Sequence, residues 1–208
     1  MRSAFHMARL VVFAVLFSLL LVWVAESPSR ACVGRTIYIG YYEGEPEQEI
    51  MATLLTIFVD ERTGTSVKRV ALKDRKQGFN FLKRNKVSIL VEYPGRILEH
   101  FGKGENPSLK AAEFDALRSE IGAELKAVFL VEPGFDNRAG GAPGGPYLGK
   151  ARIILSKKAL SVFPAMPRLL KKLSGRVDNG AMSLFIKSFN DGPPDRGTRM
   201  FLKKSKLI

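Results

Sequence analysis

No stretch constrains the fold more than residues 36–60. Residues 36–40, Thr-Ile-Tyr-Ile-Gly, are β-branched and aromatic and end on glycine, which predicts a strand. A polar segment follows. Then Ile50, Leu54 and Phe58 recur every fourth residue, with Met51, Leu55 and Val59 beside them. That spacing lays one broad apolar face along a helix. A buried strand entering a helix through a polar loop opens an α/β unit. In an open sheet such a loop lies outside the carboxyl end of its strand, where ligands usually bind. Tyr41 and Tyr42 are expected in this loop, either contacting a ligand or packing on the domain edge.

The cadence then repeats. Residues 66–72 alternate loosely and predict a second strand. Residues 74–85 predict a second helix with Phe79 and Leu82 inward and Lys76, Lys83 and Arg84 outward; Gly78 weakens it slightly. Residues 87–91 form a nearly continuous apolar run, the mark of a central strand. Strand, helix, strand, helix, strand is the rhythm of a parallel sheet. Right-handed crossovers put the carboxyl ends of the first and third strands on one edge, which would gather Tyr41, Tyr42, Glu92 and Tyr93.

Downstream the signals are shorter. A helical turn is expected over 97–101, a helix capped by Ser108 over 109–125 and a short strand over 128–131. Residues 138–149 are rich in glycine and proline and predict an open loop. No Gly-Lys-Ser/Thr follows these glycines, so a phosphate-binding loop is rejected. A strand over 151–155, helices over 157–163 and from Pro164 to Leu173, and a last helix over 180–189 close the chain. The basic segment 198–208 is either docked on the body or loose.

The amino terminus reads as a targeting segment. Arg2 and Arg9 precede an apolar run over 10–25, and Glu26-Ser-Pro-Ser-Arg-Ala-Cys breaks it. That layout predicts a secretory signal peptide over 1–31, with an uncleaved membrane anchor as the alternative and the domain over 32–208. The run is short for a membrane span. Cys32 stands where an exported lipoprotein carries its lipid, although Ser29 and Arg30 fit that signal poorly. As the sole cysteine it makes no internal disulfide. The net charge of +13 would attract an anionic partner, but export argues against nucleic acid.

Few residues suit catalysis. The two histidines are His6, in the targeting segment, and His100, so no multi-histidine metal site is expected. No catalytic residue, metal or cofactor is assigned. Glu43, Glu45, Glu47, Glu49 and Glu92 keep open a small exported enzyme built on paired carboxylates, although a solvated acidic loop explains them as well. Of the five tyrosines, Tyr38 is expected in the core, while Tyr41, Tyr42, Tyr93 and Tyr147 fall in loops or at strand ends. Tyrosine faces hold quaternary ammonium groups at about 0.5–2 kcal/mol per ring. A carboxylate such as Glu47 or Glu92 would assist, and Arg96 would take a ligand carboxylate.

Two segments carry a family resemblance. Ile39-Gly40 followed by Glu47-Gln48-Glu49-Ile50 resembles the opening strand and Thr-Glu-Gln helix start of substrate-binding proteins from glycine betaine, choline and proline-betaine ABC transporters. Ile-Leu-Val-Glu-Tyr-Pro-Gly-Arg at 89–96 resembles that family's Asp-Leu-x-x-Glu-Tyr-Thr-Gly-Thr segment, with both threonines lost. Pro46 replaces a further threonine. Weaker echoes lie at 132–137 and 162–173.

The resemblance implies a three-layer, parallel-sheet α/β lobe of a periplasmic-binding-protein-like fold. It implies a small quaternary ammonium or amino-acid-like ligand, transporter membrane subunits as partners, and a place at the extracytoplasmic face. Carried over, Tyr93 becomes the main cage residue, Glu47 and Gln48 line the cleft mouth, Asn137 matches a cleft asparagine, Glu92 matches the glutamate of the Glu-Tyr motif, Tyr42 takes the place of a polar or basic loop residue, and Tyr41 is a neighbour. The chain departs from the family in length. Residues 35–134 and 151–189 would build the first lobe, leaving the second truncated. The alternative function is therefore a degenerate relative serving as an interaction module.

Overall fold

The computed structural model describes residues 35–103, 111–137, 148–190 and 194–208. The signal or anchor segment, Cys32, the Ser108 cap, Tyr147 and most of the glycine-rich loop lie outside the described residues.

The first half follows the predicted rhythm as β1 (Ile37–Tyr42), α1 (Pro46–Thr63), β2 (Val67–Leu72), α2 (Arg75–Lys83) and β3 (Ile89–Glu92). Next come α3 (Pro94–His100), α4 (Ala111–Glu124), β4 (Ala127–Phe129), β5 (Arg152–Ser156), α5 (Lys157–Val162) and α6 (Met166–Leu170) with a 3-10 turn at Lys171–Leu173. The chain closes with α7 (Asn179–Asn190) and α8 (Pro194–Lys204). Local chemistry sets several boundaries. Asp74 caps α2 by accepting from the Gln77 amide at 2.7 Å, while the Gln77 side chain accepts from the Lys73 amide at 2.8 Å. Gly64 takes the left-handed conformation that ends α1, at φ 63°.

The five strands lie in the order β2-β1-β3-β5-β4. β1 is parallel to β2 and β3, as the rhythm requires, but β5 runs antiparallel to β3 and to β4. The sheet is therefore mixed rather than wholly parallel. β4 and β5 are neighbours in space, and an antiparallel pair needs no helical crossover.

Successive strand residues point to opposite faces, which gives two cores. On one face Ile37, Ile39, Ile89, Val91, Ile153 and Leu155 meet the apolar side of α1 and, behind it, Met182 of α7 and Leu202 of α8. On the other, Tyr42, Leu72, Leu90 and Ile154 meet Phe79 and Leu82 of α2, Ile97 of α3 and Phe114 of α4. Helices on both faces make a three-layer α/β fold. A single sheet is present among the described residues.

The basic tail is docked. Leu202 and Leu207 are buried, the Arg62 Nε donates to the Leu207 carbonyl at 2.5 Å, and Arg199 pairs with Glu61. Tyr38, expected in the core, is 37% exposed. It lies at the amino end of β1, beside an open depression lined by Arg35, Asn85 and Ser88. No helix among the described residues is long and apolar enough to cross a membrane.

Candidate functional site

The expected gathering at the carboxyl edge divides in two. β1 runs through Tyr42 instead of stopping at Gly40, so Tyr41 and Tyr42 are strand residues rather than loop residues. Adjacent strand residues face opposite ways. Tyr42 enters the α2/α3/α4 core, while the half-buried Tyr41 packs against the α1 core. Glu92 alternates with Val91 and so shares the side of Tyr42, whereas Tyr93 joins the α1 core.

On the Tyr42 side the partly exposed Arg75 and Glu45 form a charge cluster over the buried Glu92. The Arg75 guanidinium lies 4.8 Å from the centre of the Tyr42 ring. It pairs with Glu45 at 2.8 Å and with Glu92 at 3.2 Å. Glu92 is completely buried, and its other oxygen accepts from the Tyr93 amide at 2.9 Å. Burial pushes the Glu92 pKa up to about 7 in spite of Arg75 and that amide. Burial works against the charge on Arg75, but Glu92 and Glu45 outweigh it and hold the guanidinium above its ordinary range. The Tyr42 hydroxyl faces the Glu92 carboxyl without a hydrogen bond of ordinary geometry. Burial, then the Glu92 charge, holds its pKa well above the tyrosine range. Its hydroxyl also explains Gly78, where a Cβ would stand 2.6 Å from the Tyr42 oxygen. Across the strand pair from Glu92, Arg152 is buried over Phe114 and pairs with Glu132 at 2.8 Å and Asp115 at 3.2 Å.

The Tyr93 side is organised differently. Tyr93 is 4% exposed, its ring meets Phe135 edge-on at 6.1 Å, and its hydroxyl has no hydrogen-bond partner. Burial, then the negative charges of Glu47, Glu92, Glu45 and Asp136, hold that hydroxyl well above the ordinary tyrosine pKa. Gln48, in the first turn of α1, is 2% exposed, and neither end of its amide is partnered among the described residues. Buried polar groups are nearly always satisfied, by protein or by ordered water, so the Tyr93 hydroxyl and the Gln48 amide are open to hydrogen bonds from outside the described residues. Asn137 has a structural duty: its side-chain oxygen accepts from the Leu148 amide at 3.0 Å, and the Leu148 carbonyl accepts from the Gly95 amide at 2.8 Å. Gly95 is required there, since a Cβ would lie 3.0 Å from the Leu148 Cα.

This layering of one mixed five-stranded sheet between helices has solved counterparts. Similar structures include one described as a glycine betaine/carnitine/choline ABC transporter, at 14% identity, TM-score 0.69, covering 82% of this chain and 99% of that one. Apo YehZ from Escherichia coli matches at 11% identity and TM-score 0.68, covering 84% of this chain and 100% of its own. Lactococcal OpuAC in its closed-liganded conformation with glycine betaine matches at 12% identity and TM-score 0.51, covering 83% and 96%. The fold is periplasmic-binding-protein-like. No protein-family model and no curated protein matches the sequence.

Sequence reasoning missed Arg75 as a member of this edge, named Glu45 only among the glutamates of a possible carboxylate pair, and gave Phe135 no role of its own. Arg75 reads as an exposed residue at the start of a helix, and nothing local announces that it reaches back over Tyr42. Phe135 sits in an aperiodic Glu-Pro-Gly-Phe-Asp-Asn stretch. The family resemblance covered residues 132–137, Phe135 included, but singled out only Asn137 as a site residue.

Proposed function

We propose that this chain is the exported solute-binding component of an ABC-type importer, with its solute seated at the Tyr93 side of the carboxyl edge. The unpartnered Gln48 amide and Tyr93 hydroxyl carry this reading. The solute is a small quaternary ammonium compound resembling glycine betaine. Tyr93 offers the ring, and Glu47, whose charge acts on Tyr93, offers the counter-charge. Tyr42 and Glu92 support the floor from the opposite face, Tyr41 packs on the α1 side of the sheet with Tyr93, and Asn137 holds the rim. No residue is assigned a catalytic role. Residues 1–31 serve as signal peptide or anchor, the second lobe is truncated, and the transporter's membrane subunits are the partner at the extracytoplasmic face.

A second reading, an interaction module without solute transport, is favoured by the shallow exposure of Tyr93 and by Arg75 occupying the face of Tyr42. Calorimetric titration of residues 32–208 with glycine betaine, choline and proline betaine separates the two. Micromolar binding that weakens in Tyr93→Phe and Gln48→Leu is expected. No heat and no thermal shift at millimolar solute would overturn the solute reading in favour of the module.

A further inference from the structure

A groove of about 680 Å³ runs between α7 and α8, the two helices packed on α1, and shares no lining residue with the Tyr93 edge. Phe185 and Phe201, edge to face at 5.0 Å, contribute to its apolar lining. Leu184 and Met200 stand on it 69% and 68% exposed, and with Tyr38 they are the large apolar residues left open to water among the described residues. A helix pair with apolar side chains turned outward needs a covering.

The surrounding charge selects the covering. Helical spacing places Lys187 one turn from Leu184, and Arg196, Lys203 and Lys204 one turn either side of Met200. All four are exposed, and none makes an ion pair among the described residues. Residues 179–208 hold Lys187, Arg196, Arg199, Lys203, Lys204 and Lys206 against Asp191 and Asp195. A second copy of this chain would set cation against cation across a two-fold axis, which disfavours self-association. Apolar side chains ringed by lysine and arginine on paired helices match a bilayer whose surface carries acidic phospholipid. Lysine and arginine stems extend the apolar area while their heads reach the phosphates.

We propose that the α7/α8 face docks on an anionic phospholipid bilayer, Leu184 and Met200 entering the interface and Lys187, Arg196, Lys203 and Lys204 meeting headgroups. This inference is independent of the solute reading, because it uses neither Tyr93 nor Gln48.

The test is co-sedimentation with vesicles. Residues 34–208 form a compact unit with their own core, so residues 32–208 are used to keep the apolar amino terminus out of the measurement. Partitioning onto one-to-three phosphatidylglycerol/phosphatidylcholine vesicles should exceed that onto phosphatidylcholine by about tenfold or more and fall with added salt. The Leu184→Asp/Met200→Asp variant should lose about tenfold. Because its folding could suffer, Lys187→Gln/Lys203→Gln/Lys204→Gln provides a second arm with a similar loss. Absence of binding to anionic vesicles would overturn the proposal. So would equal binding by wild type and both variants, or a concentration-dependent dimer that Leu184→Asp/Met200→Asp dissolves.

Discussion

Two tyrosines stand at the same edge of the sheet, one on each side, and the protein treats them oppositely. Tyr42 has its ring covered by Arg75, and that guanidinium is itself anchored by Glu45 and Glu92. The cation–π position is filled from within. The ring contact of Tyr93 is edge-on to Phe135, no cation lies over its face among the described residues, and its hydroxyl, like that of Tyr42, has no hydrogen-bond partner among them. Residue type alone would rank the two rings as equals. What distinguishes them is whether the protein already supplies the cation that the ring attracts.

The largest test of this contrast is Arg75→Ala. It leaves Glu92 buried without its cation, and breaking a buried pair costs about 3–5 kcal/mol. Urea unfolding at pH 8 should show that loss, with a smaller one at pH 5, where Glu92 takes up a proton. A loss under about 1 kcal/mol at pH 8 would mean that the cluster does not hold its side of the edge.

The next effect is on pH dependence. Glu92 titrates near 7 in the folded protein against an ordinary 4.5. The folded state therefore binds this proton more tightly than the unfolded chain. Its contribution to stability is complete below about 4.5 and is lost as pH rises through 7, by about 3 kcal/mol. Urea midpoints should fall between pH 5 and 8.5, and Glu92→Gln should flatten the fall. An unchanged slope in the variant would assign the titration to another group.

Gly78→Ala has a smaller effect of the opposite sign to helix propensity. Alanine favours a helix by about 1 kcal/mol. Here its Cβ would stand 2.6 Å from the Tyr42 oxygen, and overpacking costs about 1–3 kcal/mol. Pairing it with Tyr42→Phe should recover most of the loss. Additivity in the double-mutant cycle would separate Gly78 from Tyr42. Tyr93→Phe is expected to change stability least, within about 1 kcal/mol, because it removes a hydroxyl with no partner. The same substitution should still weaken solute binding, so a large loss of stability would mark Tyr93 as structural.

The strand–helix rhythm was legible because its apolar spacing is regular and local. The edge was less legible because it turned on one residue of parity. A glycine in a strand pattern usually marks an end, yet Gly40 is there because a Cβ would lie 2.8 Å from Leu72 Cδ1. Continuing the strand past it sent Tyr41 and Tyr42 to opposite sides and dissolved the expected cluster. The antiparallel course of β5 left no periodic mark either, since burial on both sides gives the same apolar run in either direction. Gly78 read as a weakness in a helix until the ring of a residue 36 positions earlier in the chain explained it.

The clasp formed by Asn137, Leu148 and Gly95 makes the lobe modular. The chain leaves at residue 137 and returns at residue 148 with both ends fastened to the body. Lengthening a loop whose ends are fixed adds only about 0.6 kcal/mol for each doubling. Segments of very different length are thus exchangeable at this point without disturbing the sheet.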